Sequence, residues 1–443
     1  MKGSHAGESG HAVHALIERC FAVEQGELQV GGLPVSRIAR AFGTPLYIYD
    51  AGVLERTWAL VRNALPAEVD IYYSMKANPQ QALLRAFLAR GCGLEIASAG
   101  ELFQALQAGC PPERILFAGP GKTDDELQLA VEKQLGEIHV ESPGEMDRLA
   151  QIAGRLDRTV RIALRVNPDA EAEGGAMRMG GKPTPFGIDE EQLPAALDRV
   201  RALPRLELGG VHLYSGTQIL DAAILERQAQ KAIALAARIA AHLQQPLRTI
   251  DLGGGWGIPY FPREQPLDLN TFGTALGRLI EESRQQPLLA NARFVVEPGR
   301  FLVGEAGLYV TRVLDVKSSR GKTFVIVDGG MHHHLAASGN LGQTIKRNFP
   351  VALVNRLDTA ATVICDVVGP LCTPLDTLAR GVPLPAPQVG DLFAIFQSGA
   401  YARTASPHGF LSHPAPAEVW AENGKMRLIR RRGEPADLLR DQL

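Results

Sequence analysis

The chain has 443 residues, 45% of them hydrophobic and 21% charged, with a formal net charge of −2. That length exceeds what one compact core accommodates and implies two domains. The balanced charge excludes the basic excess of a nucleic-acid binder, and without an apolar run of about 18 residues no membrane-spanning helix is expected.

Residues Met1–Gly10 are rich in Gly, Ser and His and lack the apolar region of a secretory signal. A disordered tail is expected over residues 1–21. Residues 22–48 contain the run Leu28-Gln29-Val30 and the start of Tyr47-Ile48-Tyr49, and are expected to lend strands to a later β domain. From residue 49 to 300, short β-branched runs alternate with longer helical stretches. The runs are Ile71–Ser74, Leu94–Ala97, Ile115–Ala118, Glu137–Val140, Val160–Val166, Leu208–Leu213, Thr249–Leu252 and Phe294–Val296. Between them Pro79–Arg90, Gly100–Ala108, Asp124–Lys133, Pro143–Ile152 and Leu220–Leu243 repeat apolar residues at helical spacing. Strand then helix, repeated, with eight strands in all, predicts a closed (β/α)8 barrel of roughly 250 residues; an open doubly wound sheet is the alternative. Beyond residue 300 the runs Leu308–Val316, Thr323–Val327, Thr362–Val368, Leu392–Phe396 and Glu418–Trp420, punctuated by Gly and Pro, predict an all-β domain over 301–443. Five cysteines, none in a CxxC pair, fit a reducing, cytoplasmic setting better than a disulfide framework.

The chemistry gathers at strand ends. Lys76 closes the run Ile71–Ser74. At the C-terminal face of a barrel a partly desolvated lysine becomes nucleophilic; the plain alternative is a lysine reaching to solvent. Glu95, His212 and Tyr214, Gly253–Gly255 and Glu297-Pro298-Gly299-Arg300 end later strands and fall on the same face. A glycine triplet lets an anion approach the backbone, although tight turns use one too. Glu297 can hold a pyridinium proton or pair with an arginine. The conjunction of amine, anion loop, carboxylate and arginine distinguishes the reading.

Six ordered motifs then carry a resemblance: Tyr73-Ser74-Met75-Lys76-Ala77-Asn78, Asp251-Leu252-Gly253-Gly254-Gly255, Glu297-Pro298-Gly299-Arg300, Val327-Asp328-Gly329-Gly330-Met331, Gly369-Pro370-Leu371-Cys372 with Asp376, and Ser398-Gly399-Ala400-Tyr401. The chain resembles the fold-type III pyridoxal-phosphate decarboxylases, the diaminopimelate and ornithine decarboxylase family, whose barrel is alanine-racemase-like. The resemblance covers nearly everything from Ala22 onward. It implies pyridoxal 5'-phosphate as cofactor and Lys76 as the Schiff-base lysine. Glu297 would serve the pyridine nitrogen, and Gly254, Gly255, Gly299 and Arg300 the phosphate. Tyr401 would add its hydroxyl, while Glu95, His212, Tyr214 and Thr217 would complete the cofactor pocket. Cys372 would come from the second subunit of a homodimer and protonate the carbanion; a buried small hydrophobe is the ordinary fate of a cysteine. Arg300, Thr373, Asp376 and Tyr401 would meet the substrate, and Asp328 would brace the domain junction.

Two departures stand out. Tyr214 occupies a position where relatives commonly place histidine over the cofactor ring. Thr373 follows Cys372 where enzymes acting on diamino acids usually carry Glu or Asp. An unpaired buried ammonium costs several kcal/mol, so free diamino acids are not the expected substrates. The stretches Met179–Gly187, Gly330–His334, Tyr214–Gln218 and Cys372-Thr373-Pro374 resemble a narrower group acting on amino acids tethered to an acyl carrier protein, such as glutamyl-carrier protein, together with exosortase-associated homologues. Diaminopimelate decarboxylation is the alternative, and an amino-acid racemase a further one, opposed by Glu297 because racemases of this fold place arginine at the pyridine nitrogen. A non-enzymatic cofactor carrier would lack the β domain. His332-His333-His334 invite a metal reading, but consecutive strand residues alternate faces; no metal is expected, and the three histidines are read as a loop at the substrate entrance.

Overall fold

The computed structural model describes residues 13–169, the backbone of 177–178, and residues 183–214, 216–343 and 345–443. The Met1–Gly10 tail, residues 179–182 of the quoted motif and Ser215 lie outside them. The described chain divides into two compact units. One comprises residues 58–258 and 266–301, the other residues up to 57, 259–265 and 302–443.

The first unit is a closed barrel. Its strands are β1 Asp70–Ser74, β2 Gly93–Ile96, β3 Ile115–Phe117, β4 Glu137–Val140, β5 Val160–Asn167, β6 Leu206–Leu213, β7 Thr249–Asp251 and β8 Arg293–Val296. Each pairs in parallel with the next, and β8 returns to β1 with Val295 and Val296 beside Asp70 and Ile71. All eight expected strands are present, and the open-sheet alternative is excluded by closure. The helices begin where the sequence signals it. Thr123 accepts from the Glu126 amide while the Glu126 carboxylate accepts from the Thr123 amide, a capping box that starts Asp124–Lys133. Ser98, Ser142, Asp221 and Asp268 cap four others. Leu193–Arg201 and Leu269–Arg284 fill the two places in the repeat where no helix was expected.

The second unit is built on a nine-stranded sheet. Leu46–Asp50 lies between Gly307–Ser319, antiparallel, and Ala417–Glu422, parallel. Lys322–Val327, Val363–Val368 and Thr377–Leu384 extend one side. Leu392–Ile395 also pairs with Gly307–Ser319, antiparallel.

Three expectations need correction. Residues 13–20 form a helix rather than a tail. Val13, Leu16, Ile17 and Cys20 are buried, the spacing of one apolar helix face. Of residues 22–48, only the Leu46–Ile48 run enters the large sheet, as part of Leu46–Asp50. Ala22–Glu24, Glu27–Val30 and Leu33–Pro34 make a separate three-stranded sheet. Asp328 braces the interior of its own unit, accepting from the Thr44 hydroxyl and the Arg312 amide.

Candidate active site

The C-terminal ends of the barrel strands converge the expected groups. Lys76 sits in the turn Met75–Ala77 directly after β1. Its Nζ is 3.5 Å from Glu95 Oε2 and 5.3 Å from the centre of the Tyr214 ring. Glu95 is held on β2, where the Ser74 hydroxyl donates to the same Oε2. Tyr214 also receives the Arg165 guanidinium at 5.8 Å, and Arg165 Nη1 is 2.7 Å from Glu141 Oε1. That ion pair holds Glu141 below the usual carboxylate range despite burial, which by itself would raise it. Neither Glu141 nor Arg165 was singled out from the sequence. A charged residue at an inward position of an otherwise apolar strand was the available signal.

Glu297 follows β8 and is buried. Burial alone would raise its pKa, yet His212 beside it keeps it well below the ordinary range. His212 Nε2 is 3.4 Å from Glu297 Oε2, while Glu297 Oε1 has no hydrogen-bond partner among the described residues. A buried carboxylate oxygen without a partner is costly, and a protonated ring nitrogen would satisfy it.

The Gly253–Gly255 turn admits only glycine at all three positions; at Gly253 φ is +66° and a Cβ would lie 2.6 Å from the Leu213 carbonyl oxygen. A Cβ on Gly254 would lie 2.1 Å from the Glu297 carbonyl oxygen, and one on Gly255, where φ is +82°, 2.2 Å from the Gly216 carbonyl oxygen. A Cβ on Gly299 would lie 3.0 Å from the Ala77 Cβ and 3.2 Å from Ser74, a tight but less severe approach, and Arg300 begins the short helix Arg300–Val303. Thr217 pairs with Met177 in a two-stranded ribbon. An amine, an unsatisfied buried carboxylate and bare backbone turns fit pyridoxal phosphate at its aldehyde, ring nitrogen and phosphate.

In the second unit Cys372 is exposed in the loop between Val363–Val368 and Thr377–Leu384. The Thr373 hydroxyl accepts from the Leu375 amide at 3.3 Å. Tyr401 adopts φ +53°. Asp376 corrects its expected role. It is buried, with Oδ1 accepting from the Met331 amide at 2.6 Å and Oδ2 from the Leu371 amide at 2.9 Å. It ties two loops together rather than offering an oxygen to substrate. His332–His334 lie in a turn, not a strand, and are buried at 0, 1 and 0% exposure. His333 bonds the Tyr309 hydroxyl and the Pro414 carbonyl; His334 bonds Ser398 and accepts from the Ala337 amide. They are interior packing, not an entrance loop.

Residues 51–304 match the family described as pyridoxal-dependent decarboxylase, pyridoxal binding domain. An L-glutamyl-[BtrI acyl-carrier protein] decarboxylase of Niallia circulans is 38% identical over 92% of this chain and 96% of its own. A diaminopimelate decarboxylase of Aquifex aeolicus is 34% identical over 92% and 93%. The crystal structure of AQ1208 from Aquifex aeolicus superposes with a TM-score of 0.85 at 32% identity, covering 97% of this chain and 99% of that one. Sequence, barrel and site geometry agree: the chain belongs to the fold-type III pyridoxal-phosphate-dependent decarboxylases, carbon–carbon lyases that act on amino acids.

Proposed function

We propose that the substrate is an α-amino acid whose far end carries no free ammonium: a carrier-tethered or amide-blocked aminoacyl group, such as a glutamyl unit. One observation supports this above the others. The loop Gly369–Asp376 contains one acidic residue, Asp376, which is buried with each oxygen accepting from a backbone amide. Thr373 offers a hydroxyl where an ion pair would be needed. A distal ammonium brought to this loop would remain unpaired, at a cost of several kcal/mol. The carrier-linked glutamyl group named for the Niallia circulans relative is a substrate of this kind.

Bound pyridoxal phosphate would supply an electron sink for the pair released when the carboxylate departs as CO2. The chain's residues do the rest. Lys76 would hold the cofactor through its amine. Glu95 holds the Lys76 side chain in place. Glu297 Oε1 would accept a hydrogen bond from the protonated ring nitrogen, and Gly254, Gly255, Gly299 and Arg300 would hold the phosphate. Tyr214 would pack against the ring. Cys372 Sγ, lent by the second subunit of a homodimer, delivers a proton to Cα where CO2 has left. Thr373 bounds the side-chain pocket. A reducing cytoplasmic setting suits five cysteines that are all free, and no helix among the described residues is long and apolar enough to cross a membrane.

The test is CO2 release from free diaminopimelate, free glutamate and glutamyl-carrier protein, assayed in parallel. Turnover of the carrier-linked substrate alone is expected. Robust release from diaminopimelate overturns the proposal.

A further inference from the structure

Barrel interiors are normally filled by layers of branched apolar side chains. Here the layer beneath the site is ionisable. Glu137 and His139 come from β4, His212 from β6, Asp251 from β7, and Glu297 follows β8; all five are buried. Two glycines make the room: a Cβ on Gly210 would lie 3.2 Å from Glu137 Oε2 and 2.8 Å from the Thr249 carbonyl, and one on Gly209 would lie 3.6 Å from Glu137 Oε2.

The contacts fix a direction. His139 Nδ1 and His212 Nδ1 are 2.9 Å apart, so one nitrogen carries hydrogen and the other does not. His212 Nε2 faces Glu297 Oε2 at 3.4 Å, a contact short of hydrogen-bond geometry in this structure. A carboxylate only accepts, so a hydrogen on Nε2 makes this contact attractive, whereas a bare nitrogen would set two lone pairs against each other. Burial pushes the His212 imidazole down to about 4, against the pull of Glu297. A neutral ring with hydrogen on Nε2 has a bare Nδ1, and His139 must donate to it through its own Nδ1–H. This holds whether His139 Nε2, 3.3 Å from Glu137 Oε1, carries a proton or not. Asp251 closes the other side. Its Oδ1 accepts from the Gly253 amide at 2.8 Å, and burial followed by the Glu297 charge pushes its carboxyl well above the ordinary range. Its carboxyl is thus disfavoured as a second negative charge beside Glu297. Arg165 and Lys76 complete the charged surroundings.

We infer that His139 and His212 are positioning residues for decarboxylation: His139 locks His212 in the Nε2–H tautomer, and His212 donates to Glu297 Oε2, holding that carboxylate ionised with Oε1 aimed at the ring nitrogen of the cofactor. The inference rests on the assignment of Glu297 to that nitrogen. Orientation of one ring by a hydrogen bond to its far nitrogen is the means by which proteins commonly fix a histidine tautomer.

Two measurements test it. In the apo protein labelled with 15N-histidine, with His139→Asn and His212→Gln for assignment, His212 is expected as a neutral Nε2–H tautomer at pH 7. An Nδ1–H tautomer or an imidazolium at that pH overturns the inference. So does a stoichiometric divalent metal in the purified chain, because His139, His212, Asp251 and Glu297 offer ligand atoms within 4.8 Å of one another and would then be ligands. Second, pyridoxal phosphate is titrated into apo protein and its absorbance followed against pH. His212→Leu, which leaves Glu297 without this donor, is expected to weaken binding about tenfold to hundredfold, the worth of a hydrogen bond to a charged group. His212→Gln, which keeps a donor, stays within about threefold, roughly 0.7 kcal/mol. Wild-type affinity and pH response in His212→Leu overturn the inference. If Glu297→Gln leaves affinity and absorbance unchanged, the assignment beneath the proposal is overturned, whatever the tautomer.

Discussion

Lys76 Nζ stands 3.5 Å from Glu95 Oε2, while the hydroxyl of Ser74, two residues before the lysine, donates to that same oxygen. Neighbouring strands thus aim one amine with one carboxylate. Lys76→Ala is expected to lower kcat by about 10²-fold or more, because the amine that anchors the cofactor is lost, and to remove the visible absorbance of covalently held cofactor. Glu95→Gln keeps that absorbance and loses about tenfold or less, because the lysine is 42% exposed and solvent screens the pair. Undiminished absorbance in Lys76→Ala would refute the role of the lysine.

Asp376 is a brace, so its removal should cost stability before chemistry. Asp376→Ala strips the Met331 and Leu371 amides of their acceptor, at about 1–3 kcal/mol for each group left unsatisfied. A urea midpoint well below that of the native chain is expected, with Asp376→Asn intermediate because one amide oxygen remains. Native stability combined with a raised KM would return Asp376 to the substrate pocket.

Buried histidines make stability fall on acidification. Burial pushes His332 down to about 4, His334 to about 3 and His408 to about 4, against about 6.5 when unfolded. Between these values the unfolded chain binds more protons than the folded one, so stability rises with pH. It is fully present above about pH 6.5 and drains away toward pH 4, at roughly 1.4 kcal/mol per pH unit for each such histidine. The urea midpoint should therefore drop from pH 7.5 to 5.5. His332→Leu should flatten that slope by one proton, since neither ring nitrogen has a hydrogen-bond partner among the described residues. An unchanged slope would place His332 in contact with solvent.

Much of the barrel was legible because strand alternation and helix caps are local signals. Thr123 and Glu126 sit three residues apart, and β1–β8 are short β-branched runs. What escaped depends on partners distant in sequence. Asp376 looked like a substrate ligand because its amide partners, Met331 and Leu371, come from two different loops. His139 gave no motif, yet Glu137-Ile138-His139-Val140 puts two ionisable residues on alternate positions of a buried strand, which is the reverse of an apolar barrel layer. The helix at 13–20 had a readable face in Val13, Leu16, Ile17 and Cys20, obscured by the polar residues before it.

Cys372 and Lys76 should come from different subunits of each working site. If so, two inactive chains can repair one another. Refolding Lys76→Ala with Cys372→Ala in equal amounts gives hybrid dimers, each with one site intact. Random pairing in a two-fold dimer restores about a quarter of native activity. No recovery on mixing, in protein shown to exchange subunits, would place Cys372 in its own chain's site or remove it from chemistry.

If Thr373 sets the substrate class, as proposed, a single substitution should move it. The Thr373 side chain contributes one local contact, its hydroxyl to the Leu375 amide at 3.3 Å. The turn is otherwise held by backbone bonds, Thr373 N–H to the Leu371 carbonyl at 2.8 Å and Asp376 N–H to the Thr373 carbonyl at 3.1 Å. Glutamate can therefore enter without dismantling the loop. Because Asp376 is already occupied, the new carboxylate would be the loop's one free partner for a distal ammonium. A hydrogen bond between charged groups contributes about 1.5–3 kcal/mol, so Thr373→Glu should raise kcat/KM for free diaminopimelate about tenfold to hundredfold. The same charge has no counterpart on a carrier-linked glutamyl group, and kcat/KM for that substrate should fall. Equal changes on both substrates would show that Thr373 shapes the loop without selecting what binds there.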